Sequence, residues 1–283
     1  MFNRIYLEIT NHCNLACSFC PEHQRNTRFL SVDELQHRMH HVAKHTKNVY
    51  FHVKGEPLLS PHLREALDAA HLYDLNVHLV TNGLLIDRHG ELILNHPATK
   101  TITVSLHSYS ELDSQTQIKQ MESMRHWLGK QRPHHPHIRL RVWDADTDNY
   151  HKSRHLIQQL TDVELDETTA SPFRVSLLPN RHIQSDECFT WPSLAEGEKY
   201  PEGRCSAGMM LAILADGTIT PCCLDGEGII ALGNINHCDI DEILASQRYT
   251  AFKQGLNDRK PSEALCRCCS YKLRFDPKET QTL

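Results

Sequence analysis

Residues 4–20 have the sequence RIYLEITNHCNLACSFC, a short strand pattern followed at once by three cysteines. Apolar and polar residues alternate across residues 4–9, which is typical of a strand with one buried face. Cys13, Cys17 and Cys20 then follow with C-x3-C-x2-C spacing. Three thiolates on one loop can bind three irons of a four-iron cubane and leave the fourth iron open to a ligand. The alternative is structural zinc, which needs four closed ligands and usually C-x2-C pairs.

The cysteines gather in two parts of the chain. Of 11 cysteines in 283 residues, three lie at residues 13–20 and the others from residue 188 onward. An odd number, with no signal peptide at residues 1–10, argues against a disulfide framework and favours metal binding in a cytoplasmic protein. A net charge of −5 and the lack of a long apolar run predict neither nucleic acid nor membrane as a partner.

Short apolar segments alternate with amphipathic ones along most of the chain. Ser31 and Glu34 form a capping box at the start of the first predicted helix. Parallel strands with right-handed crossover helices curl into a barrel, and six units are too few to close one. We therefore predict an α/β fold, a partial (β/α)6 TIM-like barrel with functional residues at the carboxyl ends of its strands. The predicted strands are residues 4–9, 48–53, 76–80, 101–106, 138–143 and 173–178.

The strand and helix rhythm ends near residue 180. We predict the partial barrel at residues 1–180, a linker at residues 181–204 and a small C-terminal cysteine-rich auxiliary domain at residues 205–283. Asp216-Gly217 is a turn signal between apolar segments and predicts a hairpin over residues 209–224.

The N-terminal motif, with Phe19 before its last cysteine, resembles the signature of the radical S-adenosylmethionine (SAM) superfamily. The resemblance implies that a [4Fe-4S] cluster on Cys13, Cys17 and Cys20 binds SAM through its open iron. Reduction then cleaves SAM to methionine and a 5′-deoxyadenosyl radical, which abstracts hydrogen from a substrate. By the same resemblance, Phe19 contacts the adenine.

Further motifs at the strand ends fit this resemblance. Gly55 and Glu56 close the second strand in a segment similar to the GGEP motif, which holds the methionine amino group; Lys54 stands where a glycine is usual. Asn82 lies in a segment that resembles the family's TNG turn, and a simple turn is the alternative. Ser105 is a candidate for the SAM carboxylate or ribose. Arg141 is a candidate for the carboxylate, with a core-edge ion pair as the alternative.

The C-terminal cysteines supply four more candidate ligands. The predicted hairpin folds Cys222 back towards Cys205, and Cys266 and Cys269 form a C-x2-C pair. This pattern resembles the SPASM/twitch extension of radical SAM enzymes, in its shortened one-cluster form. It implies an auxiliary [4Fe-4S] cluster, with zinc as the alternative. Because Cys223 and Cys268 adjoin the assigned ligands, the assignment can be shifted by one residue at either place.

Three cysteines have other candidate roles. Cys223 is a possible hydrogen-atom donor that quenches a substrate radical. Cys188 and Cys238 are interpreted as inert thiols, with hydrogen-atom donation as the alternative.

The sequence predicts a radical SAM oxidoreductase or maturase that modifies a peptide or protein oxidatively. The alternatives are a small-molecule dehydrogenase that acts on an alcohol or carbohydrate, and a non-catalytic iron–sulfur or zinc module. The expected partners are the peptide or small-molecule substrate, an electron donor such as flavodoxin or ferredoxin, and a separate peptide-recognition protein.

Overall fold

The computed structural model describes residues 1–22, 24–143, 148–161, 163 and 173–275. The strands in these residues are β1 Arg4–Leu7, β2 Asn48–Tyr50, β3 Asn76–Thr81, β4 Thr99–Ser105, β5 His137–Trp143, β6 Arg174–Leu178, β7 Arg181–Asp186, β8 Met210–Ile213, β9 Thr218–Thr220 and β10 Gly233–Asn234. The α-helices are α1 Val32–Ala43, α2 Leu63–Leu72, α3 Ile86–Asn95, α4 Ser114–Gly129, α5 Asp148–Thr161, α6 Ile240–Ala245, α7 Gln247–Asn257 and α8 Ala264–Arg267.

The described strands form one open sheet in the order β10-β9-β8-β1-β2-β3-β4-β5-β7-β6. From β1 to β5 and on to β7, each strand lies parallel to its neighbour. Helices α1 to α4 follow β1 to β4 in turn and contribute to the apolar core on one face of the sheet. The predicted α/β fold with a partial, unclosed barrel is confirmed, and the carboxyl ends of the parallel strands meet at one rim.

The sixth parallel strand differs from the predicted one. The predicted strand at residues 173–178 does form, as β6, but β6 pairs antiparallel with β7. It is β7 that pairs parallel with β5, with Ile138 opposite Arg181 and Trp143 opposite Asp186. The first residues of the predicted linker at 181–204 are therefore part of the barrel sheet, and that part of the linker prediction is corrected.

The predicted hairpin forms and joins the barrel. Strands β8 and β9 pair antiparallel around Asp216-Gly217, and Gly217 has a φ of +93°. Strand β8 also pairs parallel with β1, with Arg4 opposite Met210 and Leu7 opposite Ile213. The C-terminal cysteine region is thus attached to the barrel by backbone hydrogen bonds at the β1 edge.

The first helix begins as its sequence predicts. Ser31 Oγ accepts a hydrogen bond from Glu34 N at 3.3 Å, and Glu34 Oε2 accepts one from Ser31 N at 2.9 Å. This capping box fixes the end of the cysteine loop, because the loop occupies the segment between β1 and α1. Leu35, Met39 and Val42 then bury one face of α1 in the core.

No helix among the described residues combines the length and the apolar character needed to cross a membrane.

Candidate active site and metal centres

The N-terminal cysteine loop is closed by hydrogen bonds at its stem. Thr10 Oγ1 donates to Arg28 O at 2.8 Å, and Arg28 N donates to Asn11 Oδ1 at 2.7 Å. Inside the loop, Cys20 N donates to Cys17 O at 3.0 Å and makes a tight turn. The stem and the turn hold Cys13, Cys17 and Cys20 on one short stretch at the carboxyl end of β1.

These three thiols lie within electrostatic reach of one another. Burial raises the pKa of Cys13, and the neighbouring Glu56 and Cys20 raise it further. Burial raises the pKa of Cys17 to about 12, with Cys13, Glu111 and Cys20 contributing. Neighbouring thiols each raise the pKa of the others, because their anions repel. A bound iron cation offsets this repulsion and displaces the thiol protons, so such a group can act as a set of iron ligands.

The chemistry of the donors fits the group that the sequence predicts. Three thiols on one closed loop match the three-iron ligation of a four-iron cubane, which leaves one iron open. In the part of the chain that the structure describes, no three His, Cys, Asp or Glu side chains are grouped closely enough to hold one ion.

Gly55 and Glu56 are fitted tightly against the start of the cysteine loop. Gly55 has a φ of +73°, and a Cβ there would lie 2.5 Å from Thr10 O and 2.8 Å from Asn11 Cα. Glu56 N donates to His12 O at 2.8 Å. Only glycine fits this close backbone approach, so the loop after β2 positions the residue before Cys13.

We expect Gly55→Ala to destabilise the protein and to lower iron binding by the N-terminal loop. Positive φ alone costs about 1–2 kcal/mol, and overpacking adds about 1–3 kcal/mol. Gly197→Ala is the matched control, because Gly197 has a φ of +72° and a Cβ added there would meet no atom within 4 Å. Chemical denaturation and iron analysis of both variants test this. Equal losses in the two variants would contradict a role for the close approach.

The Glu56 carboxylate organises the ends of two strands. Its Oε1 accepts from Thr81 Oγ1 at 2.7 Å and from Leu58 N at 3.0 Å, and its Oε2 accepts from Asn82 N at 2.7 Å. Burial raises the pKa of Glu56 to about 7 against the lowering effect of these hydrogen bonds. A carboxylate offers about four acceptor positions, so one remains for a further donor.

Asn82 connects this carboxylate to the cysteine loop. Its side-chain Nδ2 donates to Asn14 Oδ1 at 2.8 Å and lies 3.9 Å from Cys13 Sγ. Because Asn82 N donates to the Glu56 carboxylate, the turn after β3 contacts both the Gly55-Glu56 segment and the cysteine loop. The structure therefore brings Asn82, Glu56 and Cys13 together.

Ser105 and Arg141 meet on neighbouring strands. They are register partners of β4 and β5, and Arg141 NH2 donates to Ser105 Oγ at 2.8 Å. Arg141 Nε lies 3.9 Å from Asp186 Oδ2, which is a weak ion pair. Burial lowers the pKa of Arg141, and Asp186 opposes this. The pair offers a hydroxyl and a cation at the rim.

Phe19 belongs to an aromatic group at the same rim. Its ring centroid lies 5.2 Å from that of His107 and 5.5 Å from that of Trp143, in edge-on geometry. Burial lowers the pKa of His107, with Arg141 contributing, so its imidazole is neutral near pH 7. These rings form an aromatic wall beside Cys20, on which a planar ligand can pack.

Lys54 stands where the similar motif usually has a glycine, and its side chain extends under the cysteine loop. Its Nζ donates to Pro21 O at 2.6 Å and lies 4.1 Å from the ring centroid of Trp191. Its stem packs on Gly226, where a Cβ would lie 2.9 Å from Lys54 Cε. The sequence indicates only that a glycine is missing; the structure shows a buried cation that joins the loop to the C-terminal region.

A second connection between the two regions was not found from the sequence. Glu8, fully buried, accepts from both terminal nitrogens of Arg25 at 2.7 and 2.8 Å and from Ala215 N at 2.8 Å. Arg25 Nε donates to Gly226 O at 2.8 Å. The sequence holds one sign of this connection: Glu8 is a charged residue in the alternating pattern of the first strand, and a buried carboxylate requires a partner.

The C-terminal thiols are the candidate ligands of the second predicted metal centre. Burial raises the pKa of Cys266 to about 12, with Cys205 and Cys269 contributing, and the pKa of Cys269 is raised by burial and by Cys205. Lys272 is 2% exposed, and its Nζ donates to Cys266 O at 3.0 Å. Its positive charge partly opposes the rise that burial causes in the pKa values of Cys205, Cys266 and Cys269. No sequence pattern indicates this buried cation.

Cys222 and Cys223 both reach this region. Both pack against the apolar group that includes Tyr6 and Met210, and Cys222 also borders the main core. Leu224 N donates to Cys222 Sγ at 3.4 Å. Cys223 therefore lies near the inner face of β1, and Cys222 stays the predicted ligand.

The remaining cysteines lie apart from these contacts. Cys268 is 6% exposed and belongs to the apolar core. Cys238 Sγ donates to Asn234 O at 3.3 Å, and Cys188 is exposed.

Two family descriptions match the sequence. The one described as Radical SAM superfamily matches residues 7–144. The one named SPASM and described as an iron–sulfur cluster-binding domain matches residues 205–270. None of the curated proteins matches the sequence itself.

Several solved structures share the fold. BtrN in complex with AdoMet and 2-DOIA has 16% identity and a TM-score of 0.56, with 95% of this chain and 93% of that chain covered. Streptococcus suis SuiB bound to precursor peptide SuiA has 15% identity and a TM-score of 0.60, with 95% and 70% covered. Native anSMEcpe with bound AdoMet and Kp18Cys peptide has 15% identity and a TM-score of 0.56, with 94% and 87% covered.

Proposed function

The chain belongs to the radical SAM superfamily and carries a C-terminal SPASM domain, and from this we propose that it modifies a peptide or protein oxidatively. Its cofactors are SAM and [4Fe-4S] clusters, including an auxiliary cluster. The chain is therefore an enzyme, and a non-catalytic metal module is not a remaining alternative. The single observation that carries the proposal is the second thiol group beside the β1 edge of the barrel, which would supply an exit for an electron.

The residues at the rim have proposed roles in holding SAM. Cys13, Cys17 and Cys20 hold the first cluster, which with SAM supplies a 5′-deoxyadenosyl radical. The ring wall of Phe19 packs on the adenine. The free acceptor position of Glu56, with Gly55 and Asn82 holding the loop, receives the methionine ammonium. Ser105 and Arg141 bind its carboxylate.

The proposed oxidation removes two hydrogens from the substrate. One would leave as a hydrogen atom, for which bound SAM would supply the acceptor. The other would leave as a proton to a base or to water and an electron to the auxiliary site, which we assign to Cys205, Cys222, Cys266 and Cys269. The charge of the buried Lys272 ammonium favours the anionic form of Cys205, Cys266 and Cys269.

Peptide substrates are supported by the similarity to SuiB with SuiA and to anSMEcpe with Kp18Cys peptide. A reductant such as flavodoxin or ferredoxin is the proposed electron donor, and a separate recognition protein is the proposed route for presenting the peptide. The second candidate is oxidation of a small molecule. It is favoured by one observation: the chain covers 93% of BtrN, which was solved with 2-DOIA, but only 70% of SuiB.

We expect turnover with the cognate substrate to yield 5′-deoxyadenosine and a product two hydrogens lighter. The assay uses anaerobically reconstituted protein, SAM and reductant, in deuterated water, with peptides or small molecules encoded or made by the neighbouring genes. Mass spectrometry reads the product, and Cys223→Ala is expected to give the same product at the same mass.

The competing fate of the radical is hydrogen-atom donation by Cys223. Deuterium delivered to a substrate carbon, and lost in Cys223→Ala, would overturn the oxidative proposal in favour of epimerisation. Cys238→Ala is the matched control thiol, because its Sγ bonds Asn234 O away from Tyr6.

A further inference from the structure

Along β5 the inner face of the partial barrel is polar and positively charged, whereas an apolar group that includes Tyr6 and Met210 lies at the β1 and β8 side. Along β5, Ile138, Leu140 and Val142 are buried in the core with the helices, so Arg139 and Arg141 lie on the opposite face. Ile5 belongs to the same core, so Arg4 lies on the inner face of β1. Three guanidinium groups thus line the space that the sheet curves around, which we call the lumen.

The charges of these arginines reach common neighbours inside the lumen. Burial lowers the pKa of His78 to about 4, and the charges of Arg139 and Arg4 contribute. Burial lowers the pKa of His52 to about 3, and Arg141 contributes. Both imidazoles are therefore neutral near pH 7. Arg4 and Arg139 lie within reach of the same imidazole, His78, from opposite strands.

The carboxylates of the inner face that the structure describes on β1 and β7 already have partners. Glu8 on the β1 side accepts from Arg25, and Asp186 on β7 lies 3.9 Å from Arg141 Nε. Arg4 lies over the Tyr50 ring, 5.9 Å from its centroid. For Arg139, the described residues supply no ion pair and no side-chain hydrogen bond.

Several buried nitrogens on this face also lack hydrogen-bond partners. Among the residues that the structure describes, Arg4 Nε, Arg139 Nε, Arg141 Nε and His52 Nδ1 are buried without a hydrogen-bond partner. A buried donor without an acceptor is costly, and the three guanidinium nitrogens on one face favour an acceptor-rich ligand. A planar guanidinium is suited to an oxyanion, which it can bind through two parallel hydrogen bonds.

We propose that the lumen binds an oxyanion of the substrate, a carboxylate or a phosphate, between Arg4 and Arg139. This rests on the proposed function, because it takes the substrate to enter the barrel from the rim. Arg139 lies two residues before Arg141 on the same face of β5, about 7 Å deeper. The oxyanion is therefore anchored below the proposed SAM position, and the reacting C–H bond lies above it.

The probes are sodium acetate and inorganic phosphate, titrated against the reconstituted protein saturated with SAM, with chloride at matched ionic strength as the blank. Calorimetry gives the dissociation constants. We expect wild type to bind at least one of the two anions and Arg139→Met to bind it at least tenfold more weakly. Binding of acetate identifies a carboxylate-bearing substrate, and binding of phosphate alone a phosphorylated one. Arg64→Met, on the exposed side of α2, is the control and should match wild type.

Further variants protect this test from a folding artefact. Arg139→Lys keeps the charge and loses the two-pronged geometry, so its affinity should lie between those of wild type and Arg139→Met. Reduced Arg139→Met should still cleave SAM to 5′-deoxyadenosine, which separates this proposal from the radical SAM function. No anion binding by wild type, or equal binding by wild type and Arg139→Met, would overturn the proposal.

Discussion

Replacing Cys13, Cys17 and Cys20 together with alanine is expected to abolish 5′-deoxyadenosine formation and to halve the iron content. Anaerobically reconstituted wild type should carry about eight irons per chain in two cubanes, and the triple variant about four. The reason is spatial: the three thiols occupy one closed loop, and the C-terminal thiols occupy another region beside Lys272.

The control for this experiment is Cys188→Ala, because Cys188 is exposed and outside both thiol groups. It should keep about eight irons and full SAM cleavage. Iron near zero in the triple variant, with one zinc retained, would contradict an iron–sulfur cluster at the C-terminal site. Residual SAM cleavage in the triple variant would contradict the assignment of the first cluster.

The parts of the site that could be predicted are those encoded in short segments. The cysteine spacing, the turn at Asp216-Gly217 and the capping box of Ser31 and Glu34 each depend on residues a few positions apart. The φ of +73° at Gly55 is a local property that favours glycine, whereas its close approach to Thr10 is a contact between distant segments. Such local features survive in any correct fold, so the sequence alone predicts them.

The parts that could not be predicted depend on pairs far apart in the chain. Glu8 contacts Ala215 N across 207 positions, and Lys54 contacts Pro21 across 33. A sequence pattern identifies a charged residue in a strand but not its partner. The lumen arginines are another case, because alternation predicts that Arg139 faces away from the core but not that Arg4 faces the same space.

Two elements have weak local signals for physical reasons. Strand β7 alternates Ile183 with polar inward residues, so it lacks the apolar signal of a barrel strand. Helix α3 contains Gly90, a residue type that disfavours a helix interior. That glycine is required because a Cβ would lie 2.5 Å from Trp127 Cδ1, and Trp127 Nε1 donates to Gly90 O at 2.9 Å. In both cases tertiary contacts override local propensity.

Glu56→Ala is expected to weaken SAM binding by about 10- to 150-fold, because a charge-assisted hydrogen bond is worth roughly 1.5–3 kcal/mol. Iron content should stay at the wild-type value, since Glu56 contacts Thr81, Leu58 and Asn82 rather than a cysteine. Equilibrium dialysis with SAM measures the affinity. Glu122→Ala, on the exposed face of α4, is the control. Unchanged affinity in Glu56→Ala would remove Glu56 from the SAM site.

The pH dependence of binding separates the charge of Glu56 from its shape. Burial raises the pKa of Glu56 to about 7, and only the ionised carboxylate attracts an ammonium group. The wild-type affinity for SAM should therefore rise with pH and level off above about 7, and it should fall about tenfold for each pH unit below that value. Glu56→Gln keeps the size of the side chain without its titration, so its affinity should stay flat between pH 5.5 and 7. A wild-type curve that is equally flat in that range would show that the ammonium group is bound elsewhere.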